Sequence, residues 1–460
     1  MTIANPELQK PVVFRDSEPS TRSTETYPPA RIANWALFMF ALSLVVNFVD
    51  RGILNLLVAP IKRDLHLSDF RVSLLMGPAF VIFYLLLGLP IARLVDSKNR
   101  RLIIGFGLAC WSLMTAACGL AQGFASFFAA RIGVGVGDAC TGPATYSMLS
   151  DLFPRERLPR AIAIMQLGVN AGIGLAMLIG AAVIAAMSTA PNVTLPGLGV
   201  VHNWQMVFFV VGIPGLIVAL LMGTLVEPKR RGLIGGVQTK GLPLPEVIGF
   251  VRQHWRTYLP IFVALAAGVM NTVAAQSWGP TFYQRTFGWE PQKTAVFLGF
   301  GTILLTPLGL LLGTVLVEWY HRRGFDDANL RLVRWSTLAA LPFPILSPLA
   351  PTPELALVAY LTGVMLAAVG VSAENAALQT VTPNQMRGQV TAFFLFIYSI
   401  GAGLGPTLVA LITDGLLHDE AKIGHAMAMA SAFLGPIEVI CYWLALKAYG
   451  RNVALAKTWS

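Results

Sequence analysis

The sequence predicts an all-α membrane protein, with twelve transmembrane helices in two pseudo-symmetric six-helix bundles. Three observations carry that prediction. The 460 residues are 55% hydrophobic and only 12% charged, with a mean hydropathy of +0.66, whereas a soluble chain carries about 25% charged residues. Apolar runs of ~20 residues, enough to cross a ~30 Å hydrocarbon layer as helix, recur along the whole chain. The second half of the chain repeats short motifs of the first.

The runs lie near 33–60, 71–94, 102–121, 124–152, 160–187 and 204–226, then near 257–284, 293–317, 330–350, 354–381, 388–412 and 426–448. They divide the chain into a disordered tail (1–31), a first six-helix bundle (32–226), a linker (227–256), a second bundle (257–448) and a closing tail (449–460). The polar N-terminal stretch, rich in Pro, Ser and Thr, does not have the form of a cleavable signal. In the linker, Glu246 to Trp255 reads as a short surface helix. Between Ser188 and Asn203, the alternation VTLPGLGVV around a Pro-Gly step reads as a small hairpin.

Basic residues fall in alternate loops. They are Arg93, Lys98, Arg100 and Arg101 after the second span, and Arg155, Arg157 and Arg160 after the fourth. The linker holds Lys229, Arg230 and Arg231, and the loop after the eighth span holds Arg322 and Arg323. The opposite loops are poor in them, apart from Lys62 and Arg63. This bias puts both termini in the cytoplasm, in a cytoplasmic (inner) membrane. It also accounts for the net charge of +10 without nucleic acid as a partner. Cys110, Cys118, Cys140 and Cys441 all fall inside spans and suit neither a disulfide framework nor zinc.

LVDSKNRR (Leu94 to Arg101) after the second span matches LVEWYHRR (Leu316 to Arg323) after the eighth. FPRERLPRA, from Phe153, rhymes with TPNQMRGQVTA, from Thr382. Two ordered motifs offset by half the chain mark a duplicated unit.

Twelve spans with an acid-xxx-Arg-Arg loop after the second and eighth resemble the major facilitator superfamily. Ala92 and Ser97 depart from its loop pattern, while Asp96, Arg100 and Arg101 fit. A finer resemblance is to spinster-type transporters. NFVDRGILN is similar to their first-helix Asn-x-x-Asp-Arg, and DSKNRR keeps Asn99. RIGVGVGDA is similar to their Arg-x-x-x-Gly-x-Gly-Glu-Ala with Asp138 for Glu, and Glu227-Pro228 follows the sixth span. Anion:cation symporters share the Asp-Arg and Arg-to-Glu elements. The spinster resemblance implies a lysophospholipid or sphingoid-type substrate.

The polar residues inside the spans point to chemistry. Ser43, Asn47, Arg51 and Asn55 recur every four residues, with Asp50 beside Arg51, so they share one helix stripe. A charge at mid-helix costs ~2.5–3.5 kcal/mol against lipid, so the stripe is expected to face a cavity or another helix. Arg131 and Asp138, seven residues apart, share a face of the fourth span. Matched depths favour an Asp50–Arg131 pair, with Arg51 reaching toward Asp138. A carboxylate keeps its charge beside an arginine and takes up a proton when a dry cavity deprives it of that partner. With no histidine inside a predicted span, Asp50 and Asp138 are the candidate proton carriers. Arg51 and Arg131 are candidates for ion pairing or for binding an anionic head. A purely structural lock of the first bundle is the competing reading. Glu374 and Asn375 form the main polar pair of the second half, as a substrate site, a second proton site or part of a gate. Asn170, Asn271, Gln276 and Trp278 complete the candidate cavity, alongside helix-to-helix packing roles for several of them. Asp96, Arg100, Arg101, Glu227, Glu318, Arg322 and Arg323 are the candidate cytoplasmic gate, able to bias two states as a network.

These readings lead to an alternating-access secondary transporter coupled to protons, carrying an amphiphilic or anionic small molecule. An organic-anion:proton symporter and a drug exporter are the alternatives. No metal or cofactor is expected beyond the proton gradient, and the chain is expected to act as a monomer among membrane lipids. A channel, a sensor and an intramembrane enzyme fit less well. The duplicated halves suit one pore in one chain, no added soluble domain is read, and no ATP-binding Gly-x-x-x-x-Gly-Lys motif or Gly-x-Ser-x-Gly set lies in the sequence.

Overall fold

A computed structural model of the chain describes residues 27–154, 157–188, 193–195, 199–230, 243–383 and 385–456. Most of the predicted first tail, residues 231–242 of the linker and the last four residues of the closing tail fall outside these. The side chains of Asp96, Gln166 and Asn170 also lie outside the described part.

The first half comprises α1 (Ala30–Leu56), α2 (Val58–Leu65), α3 (Asp69–Met76), α4 (Pro78–Ser97), α5 (Arg100–Cys118), α6 (Phe124–Ala139), α7 (Thr141–Leu152), α8 (Leu158–Ser188) and α9 (Asn203–Met222). The second half comprises α10 (Leu244–Gln253), α11 (Trp255–Phe287), α12 (Pro291–Arg322), α13 (Ala328–Ala340), α14 (Pro342–Leu346), α15 (Pro353–Thr380), α16 (Arg387–Leu411) and α17 (Ile423–Ala456). Ten segments among the described residues are long and apolar enough to cross a membrane. The fourth predicted span is α6 and α7 in series, broken at Cys140, and the fifth is α8.

Several predicted spans are broken where the backbone requires it. Pro60 has no N–H for the carbonyl of Leu56, so α1 ends at Leu56 and α2 restarts beyond Leu57 (φ −103°, ψ 13°). The second span breaks at Gly77, where a Cβ would run into the backbone of Gly403 on α16. Only glycine admits that approach of the two halves. Pro342, Pro344 and Pro348 divide the ninth span into α13, α14 and a single 3-10 turn, Ser347–Leu349. The eleventh span continues past α16 as a π-helical turn, Ile412–Leu417. The twelfth runs to Ala456 rather than 448. The helix now starts before His425, which falls in its first turn, and His321 falls in the last turn of α12. The expected hairpin forms as β1 (Val193–Leu195) against β2 (Gly199–Val201), with Val193 opposite Val201.

Three apolar clusters organise the interior. One lies wholly in the first half around Phe40, Trp111 and Met148. A second lies wholly in the second half around Tyr258, Leu378 and Tyr449. The third spans both, joining Ile53, Leu75 and Phe208 to Trp278, Leu298 and Met427. The shared cluster gathers the ends of α1 and α11 with the starts of α3, α6 and α17, which is the face of the bundle opposite the chain termini. The termini-side clusters are separate. The protein is therefore closed at its far face. Further inward, α8 and α12 cross closely, where a Cβ on Gly174 would lie 2.7 Å from the Gly299 carbonyl oxygen.

Candidate transport site

The polar stripe of α1 folds against α5 and α6. Asp138 is 7% exposed and takes two bonds from α1, from the Asn47 amide and from Arg51 Nη2 at 2.5 Å. The Arg51 side chain is 37% exposed and lies over the Phe80 ring, 4.0 Å from its centroid. Tyr84 lies within reach of the charges of both Arg51 and Asp138. From the second half, Tyr398 of α16 lies within the field of both Arg51 and Glu374.

The expected direct pair of Asp50 with Arg131 does not form. Asp50, 2% exposed, accepts the indole N–H of Trp111 on α5 instead. Arg131, also 2% exposed, gives its Nε to the carbonyl of Leu75 at 3.1 Å. Arg131 still acts on Asp50 through space. Matched depth placed the two at one level, but the rotation of α6 turns the guanidinium toward α3.

Other candidates are re-sorted. Trp278 is fully buried, donates to the Pro406 carbonyl at 2.8 Å and packs in the apolar cluster shared by the two halves. Asn271 accepts from Ser431 at 2.7 Å, a bond between α11 and α17. Asn55 and Gln276 are half-buried, and Asn375 is exposed. Glu374 accepts from Tyr442 of α17. Glu438, which the sequence reading passed over, joins it on α17. The Glu438 carboxylate lies over Gly268, where a Cβ would come within 2.7 Å of its Oε1, and it feels the Glu374 charge. Its signal was an acid within the apolar run LGPIEVICYW.

The loop motif behaves differently in the two halves. Arg100, 1% exposed, binds Asp151 at 2.5 Å, Glu227 at 2.8 Å and the carbonyls of Ser147 and Pro228. The Arg101 backbone N–H donates to Glu227 at 2.9 Å. Asp151 was missed, though it lies two residues before Phe153 of the repeated loop. In the second half, among the described residues, Glu318 pairs with Arg322 alone, at 3.6 Å and largely exposed, and Arg323 stacks on Trp319 at 3.9 Å. Among the described residues, the expected network of helix ends is seen around Arg100 in the first half, while no ion pair joins Glu318, Arg322 or Arg323 to the motif residues of the first half. Asp151 sits three residues before Pro154, where the repeat has Thr380 before Pro383, so the second half lacks that acid.

A polar cluster that sequence reasoning missed joins the halves at the far face. Asp69, fully buried, receives Arg285 Nη1 and Nη2 at 2.7 and 2.8 Å and Lys62 at 2.5 Å. Lys62 also pairs with Glu420 at 2.7 Å. Asp414, on the π-helical turn, accepts the backbone N–H of Phe70 at 2.7 Å, which satisfies one of the free donors opening α3. The available signal was Lys62 itself, a base in a loop that the charge bias should leave poor in them.

A helical bundle of pseudo-repeated halves, joined at one face by ion pairs and holding an Arg51–Asp138 pair between α1 and α6, has the form of a secondary transporter. The chain belongs to the Major Facilitator Superfamily, whose family profile matches residues 40–406. It is a spinster-like member. An MFS-type efflux pump of Mycolicibacterium smegmatis is 26% identical over 426 residues, 91% of this chain and 94% of that protein. Protein spinster homolog 1 of Xenopus tropicalis is 25% identical over 433 residues, 87% of this chain and 78% of the relative. The crystal structure of a bacterial homolog of the human lysosomal transporter Spinster, inward-facing and unoccupied, superposes with a TM-score of 0.71. It is 25% identical, and the match covers 94% of this chain and 98% of that one.

Proposed function

We propose that this transporter couples the movement of an amphiphilic or anionic small molecule, of lysophospholipid or sphingoid-lipid type, to protons by alternating access. The observation that carries the reading is the Arg51–Asp138 pair, whose arginine side chain stays 37% exposed while its partner is nearly buried. An anionic head that draws Arg51 away leaves Asp138 with Asn47 alone, and a carboxylate so deprived takes up a proton. The anionic head replaces Asp138 on Arg51 and the proton replaces Arg51 on Asp138, so each favours binding of the other, which is what coupling requires. The resemblance to spinster proteins favours a lipid tail, and exposed apolar side chains such as Tyr146, Leu395 and Phe396 along α7 and α16 suit one.

In this reading both termini and the Arg100 network face the cytoplasm of a cell with the chain in its inner membrane, and the far face is periplasmic. The present arrangement is then the inward-open one. The transporter works as a monomer, with the proton gradient as its only energy source and no catalytic role. An organic-anion:proton symporter is the second reading, favoured by the partly exposed Arg51. A drug exporter is the third, favoured by the efflux pump among its relatives.

Reconstitution in liposomes with a trapped pH dye tests the proposal. Addition of a lysolipid is expected to move protons in wild type, and Asp138→Asn is expected to abolish that movement. Equal traces from wild type, Asp138→Asn and Asp50→Asn sink proton coupling. A thermal-shift screen of lysolipids, hexuronates and drugs separates the substrate classes.

A further inference from the structure

We infer that Trp111 and Thr115 of α5 are positioning residues for Asp50, and that Thr115, Asp50 and Arg131 together hold one buried water that bridges the carboxylate to the guanidinium. The inference deepens the coupling reading above and rests on it for its functional consequence.

Trp111, Thr115 and Cys118 lie at i, i+4 and i+7 and so share one face of α5. That face is turned to the charged centre of the first half. Trp111 donates to Asp50 Oδ2, Thr115 is close enough to act on the carboxylate as a hydrogen-bonding side chain although Oγ1 and Asp50 Oδ1 miss full hydrogen-bond geometry, and Cys118 lies in the field of both Asp50 and Arg131. Three polar atoms at this place have no protein partner: Asp50 Oδ1, Thr115 Oγ1 and Arg131 Nη1. These residues are at most 2% exposed, so an unmet bond at each leaves a desolvated polar atom without compensation. Ser112 is also unpartnered but turns away, since a Cβ on Gly215 of α9 would run into its hydroxyl.

The chemistry of the three atoms selects the ligand. A buried water needs two to four polar partners, and here it accepts from Arg131 Nη1 and donates to Asp50 Oδ1 and Thr115 Oγ1. A metal cation does not suit the place, because a guanidinium offers only donors and like charge. The charged or titratable groups that face Asp50 are Arg51 on its own helix, Arg131 on α6 and Cys118 on α5. Helix α9 carries no acid or base, and those of α8 and α11 stand at helix ends. The water-bridged arrangement explains how Arg131 governs Asp50 without touching it. Loss of the indole donor or the hydroxyl changes what holds the carboxylate.

The test uses full-length protein in liposomes, with proton movement measured against pH for wild type, Asp50→Asn, Thr115→Val, Thr115→Ser and Trp111→Phe. Thr115→Val keeps the shape and removes the oxygen. It and Trp111→Phe are expected to move the midpoint by about half a pH unit or more, and Thr115→Ser is expected to restore it. If Asp50→Asn moves the profile and neither α5 substitution does, the positioning role is overturned while coupling stands. If Asp50→Asn leaves the profile unmoved, coupling through Asp50 fails. The water is then judged alone, by cryo-electron microscopy at a resolution that shows ordered solvent. Density bridging the three atoms supports it, and a direct Asp50–Arg131 contact or no density overturns it.

Discussion

Arg51 and Asp138 meet at 2.5 Å across 87 residues of sequence, one from α1 and one from the last turn of α6. The pair is asymmetric, because Asp138 is closed in by Asn47 while Arg51 stays partly exposed. Removing either side therefore has different consequences. Asp138→Asn strands the arginine but leaves it free for an anionic head, so substrate is expected to bind while transport slows about tenfold or more, ~1.4 kcal/mol per decade. Arg51→Gln is expected to weaken binding itself. Binding by thermal shift and uptake by proteoliposomes separate the two, and equal losses in both assays for both variants refute the asymmetry.

The far face supplies the second prediction. Asp69 holds two donors of Arg285 and one of Lys62 in full burial, and breaking such a pair from one side costs ~3–5 kcal/mol. Asp69→Asn is expected to release the far face and populate a form open there. Spin labels at Arg63 and Lys422, both exposed beside the cluster, in a background without the four native cysteines, are expected to gain a longer distance. An unchanged distribution means that the apolar cluster alone keeps that face shut.

How much of this was legible in the sequence depends on what each feature needs. The spans were legible because a hydrocarbon layer imposes length and apolarity on every crossing. Pro60, Gly77 and the three prolines of the ninth span shortened them for local backbone reasons. The Arg51–Asp138 contact was legible because the two residues lie on polar stripes, one along α1 and one along α6. The Asp50–Arg131 pair was misjudged because counting residues gives depth and not rotation about the helix axis. The Asp69–Arg285–Glu420 cluster was hidden because it exists only when the two halves meet at that face, a property of the state and not of any one helix.

The duplicated loop gives a third prediction with a built-in control. Arg100 is buried with Asp151 and Glu227 around it, so Arg100→Gln is expected to cost ~3–5 kcal/mol and to lower Tm clearly. Glu318→Gln in the matching loop loses one exposed contact and is expected to change stability by less than ~0.5 kcal/mol. Similar effects in both loops would mean that the repeat is equivalent after all.

Trp278 tests the reassignment from cavity to core. Its indole N–H satisfies the Pro406 carbonyl inside the second half, so Trp278→Phe is expected to cost ~1–3 kcal/mol of stability from the unmet bond. Substrate affinity of the folded fraction should stay within about twofold. A large loss of affinity with Tm unchanged returns the residue to the binding site.

Glu374 separates a charge from a hydrogen bond. Its carboxylate accepts from the hydroxyl of Tyr442, a residue 2% exposed, and Gln in its place keeps an amide oxygen for that bond while removing the charge. Glu374→Gln is therefore expected to fold with a Tm close to wild type and yet transport about tenfold more slowly. Tyr442→Phe reverses the pattern: the charge stays, the buried partner is lost, and stability falls by ~1–3 kcal/mol. Measured together by thermal unfolding and uptake, the two variants assign Glu374 to the transport cycle only if activity follows the charge and stability follows the hydroxyl. Wild-type uptake by Glu374→Gln would leave the residue as packing between α15 and α17.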